Sequence, residues 1–141
     1  MGNNEQLTIV EILYGNAAAA LRDAQQERPG DWQDAALARA LQIGSDPVAA
    51  DAALKTLVDK QAGKAAYQIA QVYALRKDPD KTFEWLDRAW ANHDAGVGLL
   101  LYDPLLLRYQ HDPRFAAYCK KVGLPAPNER TTTVPIAERT P

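Results

Sequence analysis

Asp46-Pro47-Val48-Ala49-Ala50-Asp51-Ala52-Ala53-Leu54 returns in outline 32 residues later as Asp78-Pro79-Asp80-Lys81-Thr82-Phe83-Glu84-Trp85-Leu86. In both, an aspartate precedes a proline and an apolar helical run follows. Aspartate accepts from the free N–H groups of a helix start, and proline at the first helical position lacks only a donor that would be unpaired anyway. The preceding residues align at the same interval, Ala38 with Ala70, Leu41 with Tyr73 and Ile43 with Leu75. Each unit thus reads as one apolar helix, an Asp-Pro turn and a second apolar helix. A period of this length predicts a stacked array, in which no unit buries its apolar face alone.

Outward from this pair, the spacing predicts helices over 5–14, 17–27, 32–43, 48–60, 64–76 and 79–92, joined in hairpins 5–27, 31–61 and 64–92. Pro29-Gly30-Asp31 breaks the pattern, with Asp31 as the expected cap of the third helix. Ala95 to Tyr102, Leu105 to Tyr109 and Arg114 to Val122 form a terminal helical cap over 95–122. The domain is expected to span 5–122, and the proline- and threonine-rich remainder, 123–141, is expected to be a disordered tail. The fold class is all-α: an α-solenoid of about three stacked antiparallel helical hairpins with a C-terminal cap.

Composition agrees. The chain of 141 residues is 47% hydrophobic but only 8% aromatic, and much of the apolar content is alanine, which favours helices in close approach. The formal charge of −2, with 16 basic and 18 acidic residues spread evenly, offers no basic run for nucleic acid. No apolar run approaches the ~20 residues that span a bilayer. A single cysteine, Cys119, makes no internal disulfide, and a reducing cytoplasm is the simplest setting.

The residues Gly63 to Asn92 resemble the tetratricopeptide repeat. Ala70 and Tyr73 stand where that motif has its small residue and its tyrosine, and Thr82, Leu86 and Ala89 match the packing positions of its second helix. Gly15-Asn16 with Ala20, and Gly30-Asp31-Trp32, are weaker echoes. Ala66 to Ala74, Phe83 to Trp90, Asp103-Pro104-Leu105 and Asp112-Pro113-Arg114-Phe115 resemble segments that close tetratricopeptide regions in bacterial winged-helix regulators, cyclase-like and kinase-like signalling proteins. The resemblance covers about residues 5–125 and implies a piece of a longer polypeptide. It implies a non-enzymatic protein–protein interaction scaffold, the C-terminal regulatory or interaction module of a signalling or transcription protein.

In such an array the first helix of each hairpin lines the concave side. Trp32, Ala35, Arg39 and Gln42 are expected there from one hairpin, and Lys64, Tyr67, Gln71 and Ala74 from the next. Donors beside rigid aromatic surface make a groove for a peptide or partner helix, although a merely solvated face fits the same residues. A second surface competes: Ile9, Ile12 and Leu13, with Leu7, Val10 and Tyr14, make the first helix apolar on more than one side. Further repeats would cover it, or two copies of the chain would pair there as a homodimer. Aromatic residues elsewhere read as core, with Tyr73, Phe83 and Trp90 at packing positions.

Catalytic chemistry finds little to stand on. His93-Asp94 and His111-Asp112 are two His-Asp pairs of the kind used in metal-dependent phosphohydrolases, which need several such ligands on one ion. With only two histidines, both in turns, and Asp112 placed to cap a helix, the structural reading is the stronger. Cys119 lacks a nearby histidine, and no glycine loop cradles phosphate. No catalytic residue, metal site or cofactor is expected, and a hydrolase stands as a distant alternative.

Overall fold

A computed structural model describes residues 3–127, with side chains over 6–127. Among the described residues there is no strand; the elements are eight α-helices and one 3-10 helix. They are α1 (Asn3–Leu13), α2 (Ala17–Gln25), α3 (Asp31–Gln42), α4 (Pro47–Gln61), α5 (Ala66–Leu75), α6 (Pro79–Ala91), the 3-10 helix (Ala95–Tyr102), α7 (Pro104–Leu107) and α8 (Pro113–Val122). The chain is all-α as expected. It divides into two compact units, Met1–Val97 and Gly98–Pro141. Most of the expected disordered tail, 128–141, lies outside the described residues.

The twin Asp-Pro starts are built alike. Asp46 has φ −113° and ψ 88°, Asp78 has φ −111° and ψ 87°, and each puts its proline at the head of a helix. Oδ1 of Asp46 accepts from the Ala49 N–H at 3.0 Å, and Oδ1 of Asp78 accepts from the Lys81 N–H at 3.1 Å. Each cap is worth about 1 kcal/mol. Asn16 caps α2 in the same way, accepting from the Ala19 N–H at 3.2 Å. The start of α3 departs from the expectation. Gly30, not Asp31, holds the cap position, at φ 144°, a conformation open to glycine, and Asp31 falls inside the first helical turn.

Within the first unit, α1 packs on α2, α3 on α4 and α5 on α6, the expected antiparallel partners. Like helices also meet, α1 with α3 and α3 with α5, and α2 and α4 each contact the helix that follows them. Alanine makes these approaches close. Ala35, Ala36, Ala38 and Ala40 of α3 are all buried, as are Ala66, Ala70 and Ala74 of α5. Leu54 and Leu57 of α4, Ile69 and Val72 of α5, and Phe83 and Leu86 of α6 add the larger apolar groups. Burying a side chain of that size contributes about 2 kcal/mol.

Two aromatic assignments are corrected. Trp90 was expected in the core but is 40% exposed, whereas Trp85 is 4% exposed with the Arg88 guanidinium 4.3 Å from its ring centroid. Tyr102 is likewise exposed. At 100° per residue Trp85 and Trp90 fall on different sides of α6, and the buried Thr82, Phe83, Leu86 and Ala89 leave Trp90 at the margin.

In the second unit, aspartate again starts each helix. Oδ1 of Asp103 accepts from the Leu105 N–H at 2.9 Å and Oδ1 of Asp112 from the Arg114 N–H at 2.9 Å. Leu105, Leu106, Phe115, Tyr118 and Cys119 are buried.

Candidate functional site

The first turn of α3 carries Asp31 and Trp32, and the indole is 46% exposed. Facing it, α4 ends at Gln61, and Lys64 and Ala65 lead into α5, whose first turn carries Gln68. With Ala35 these residues line an open cleft of about 180 Å³. Buried Ala35 and Ala65 make the apolar part of its lining, and the Trp32 ring supplies its largest apolar surface.

Local bonds hold the walls. The Gln61 Nε2 donates to Oδ2 of Asp34 at 3.3 Å, and the Lys60 ammonium lies 3.6 Å from the same oxygen. These tie the end of α4 to the first turn of α3. The N–H groups of Lys64 and Ala65 both donate to the Gln61 carbonyl, at 3.0 and 2.8 Å, so the chain reverses tightly into α5. No side chain of α5's own flank caps it. Instead Oδ2 of Asp94, in the turn after α6, accepts from the Tyr67 N–H at 3.1 Å, while Oδ1 of the same carboxylate accepts from the Gly96 N–H at 2.9 Å. Among the described residues neither Asp31 nor Lys64 enters an ion pair.

The predicted groove residues separate into three groups. Trp32, Ala35 and Lys64 come together in the cleft. Arg39, Tyr67, Gln71 and Ala74 do not face solvent: Arg39 and Tyr67 are 1% and 2% exposed, and the other two are buried. Nη1 of Arg39 donates to Oε1 of Gln71 at 2.8 Å, so that pair serves the α3–α5 contact. Tyr67 lies against Gly96, where an added Cβ would stand 2.6 Å from the ring. Gln42 lies in a different, polar hollow of about 350 Å³ near the end of α3. There Arg76 donates from Nη1 to Oε1 of Gln42 at 3.0 Å and pairs with Asp51 at 2.7 Å. Nε2 of Gln42 donates to the carbonyls of Ala38 and Ala50, so this residue is occupied in holding α3, α4 and α5.

The sequence pattern did not point to Asp31, Gln61 and Gln68 as lining residues. Lys64 itself lies in the turn before α5, so helical phase counted from it did not separate Gln68, which lines the cleft, from the buried Gln71.

On α1, Ile12 is buried, Ile9 is half-buried and Leu13 is exposed. The stripe open to solvent is Leu7, Val10, Leu13 and Tyr14, so of the three residues expected to pair two copies only Leu13 is fully presented.

Both His-Asp aspartates have structural work. Asp94 caps α5, and Asp112 caps α8 while receiving Nη2 of Arg114 at 2.8 Å. The Arg114 side-chain and backbone donors hold the Asp112 carboxyl below its ordinary value. His93 sits exposed at φ 56°, closing α6. Among the described residues no group of three His, Cys, Asp or Glu side chains is gathered to hold a metal ion. Among the same residues no helix is long and apolar enough to cross a membrane. Comparison of the chain with protein-family models, curated proteins and solved structures finds no match to any of them.

Proposed function

We propose that this chain is a non-enzymatic protein–protein interaction scaffold of tetratricopeptide-like type. On this reading it is the C-terminal regulatory or interaction module of a larger bacterial signalling or transcription protein and works in the cytoplasm, bound to a protein or peptide and to neither nucleic acid nor membrane. The packing of like helices on one another, α1 with α3 and α3 with α5, supports the repeat character. The observation that carries the binding role is Trp32: a half-exposed indole over a small apolar cleft, flanked by open polar groups. Tryptophan in that setting is a typical interface anchor, rigid and amphipathic.

The test is selection of displayed random peptides on the immobilised chain, with Trp32→Ala as counter-target. Peptides retained by the wild type and released by the variant support the reading. If every retained peptide holds equally to both, the cleft is not the binding site.

Self-association through α1 is the second reading, favoured by the exposed stripe of Leu7, Val10, Leu13 and Tyr14. Sedimentation that shifts from dimer to monomer on Val10→Lys would support it, and a monomeric wild type would end it.

A further inference from the structure

The α3–α5 cleft has charges of opposite sign on its two sides. Asp31 stands on the α3 side and Lys64 on the α5 side; both are exposed and neither has an ionic partner among the described residues. Asp34, in the same first turn of α3, pairs with Lys60 and accepts from Gln61. The Gln68 amide makes no side-chain hydrogen bond among the described residues and is half open, a donor and acceptor suited to the backbone of an extended segment. Between these polar groups lie the Trp32 ring and two buried alanines.

Resting on the scaffold reading above, we propose that the cleft receives one apolar side chain of leucine or phenylalanine size from an internal segment of a partner protein, flanked by one basic and one acidic residue. The apolar side chain packs on the Trp32 ring. The basic neighbour faces Asp31 and the acidic neighbour faces Lys64. A segment with two acidic flanks meets repulsion from Asp31, and one with two basic flanks meets it from Lys64. Like charges brought together discriminate between partners more than matched ones add affinity.

Four sets of short peptides, acetylated and amidated so that no terminal charge intervenes, test this by fluorescence anisotropy. Each has a central leucine or phenylalanine, with flanks basic–acidic, acidic–basic, acidic–acidic or basic–basic. Against the wild-type chain one of the mixed orders binds best, about fivefold tighter than either uniform peptide. Asp31→Lys transfers the preference to the acidic–acidic peptide, and Lys64→Glu transfers it to the basic–basic one. Trp32→Ala, with circular dichroism confirming its helices, weakens all of them by about thirtyfold. Binding that depends on Trp32 but ignores flank charge, or does not change its preference in the two charge reversals, overturns the proposed occupant and leaves the scaffold reading standing. Absence of Trp32-dependent binding in all four sets also overturns the occupant; the open selection described above, which samples all sequences, judges the scaffold reading separately.

Discussion

Nη1 of Arg39 donates to Oε1 of Gln71 at 2.8 Å, and the two residues are 32 positions apart, the interval that also separates Asp46 from Asp78. Equivalent positions in successive hairpins therefore touch. One brings only donors and the other an acceptor, so the contact between α3 and α5 is chemically directional.

Removing one member takes a hydrogen-bond partner from the other in a buried site. Gln71→Ala is expected to destabilise the fold by about 3 kcal/mol, because a buried guanidinium loses an acceptor. The double variant Arg39→Met/Gln71→Leu should recover a large part of that loss, since apolar groups of similar volume need no partner. Urea denaturation of the two variants beside the wild type measures both values.

Gly96→Ala should cost about 2 kcal/mol, because its new Cβ would lie 2.6 Å from the Tyr67 ring and the neighbours must shift. Gly63→Ala is the control, with nothing within 4 Å of the added Cβ. It is expected to leave stability unchanged or raise it by about 0.5 kcal/mol. Thermal melts of the two single variants read the contrast.

Lys77 follows α5 at φ 59° and is exposed, its N–H donating to the Ala74 carbonyl at 3.1 Å. A lysine there carries the cost of the left-handed region without packing to offset it. Lys77→Gly should therefore stabilise the chain by about 0.5 kcal/mol, against the usual destabilising sign of a glycine substitution. A fall in the denaturation midpoint would contradict this.

Asp112 predicts a pH dependence. Its carboxyl titrates below the ordinary 3.8 because Arg114 donates to the ionised form. A lowered folded-state pKa means that its stabilisation is fully present above the ordinary carboxylate range and is lost as pH falls through the lowered value. Asp112→Asn keeps an acceptor for the cap but loses the charge facing Arg114, and should accordingly lower the stability of the helix start at Pro113 by about 0.5 kcal/mol at neutral pH, and by less in acid. Denaturant midpoints of wild type and variant should converge as the pH is lowered.

Features with a local signal were legible in the amino-acid order, and those set by distant contacts were not. Helix starts at Asp46, Asp78, Asp103 and Asp112 could be read because a cap and its recipient lie within three residues. The side that α3 shows to solvent could not. A helix in which Ala35, Ala36, Ala38 and Ala40 are all buried has no apolar stripe contrasting with a polar one, so only its position in the repeat placed Arg39 outward. The apolar α1 has the same ambiguity in reverse, with Ile12 inward and Leu13 outward among similar neighbours. Of the cleft, Trp32 and Lys64 were legible, but Gln61 joins it only through the meeting of α4's end with α3's start, a contact with no local signature.

Asp94 links the start of α5 to a residue 27 positions further on. During synthesis, α5 leaves the ribosome before the carboxylate that completes its first turn has been made. The helix must persist on its own propensity, or wait, until α6 and the turn after it have followed. Any cut between Ala91 and Asp94 would thus leave α5 and α6 in the polypeptide while removing the group that fastens one to the end of the other.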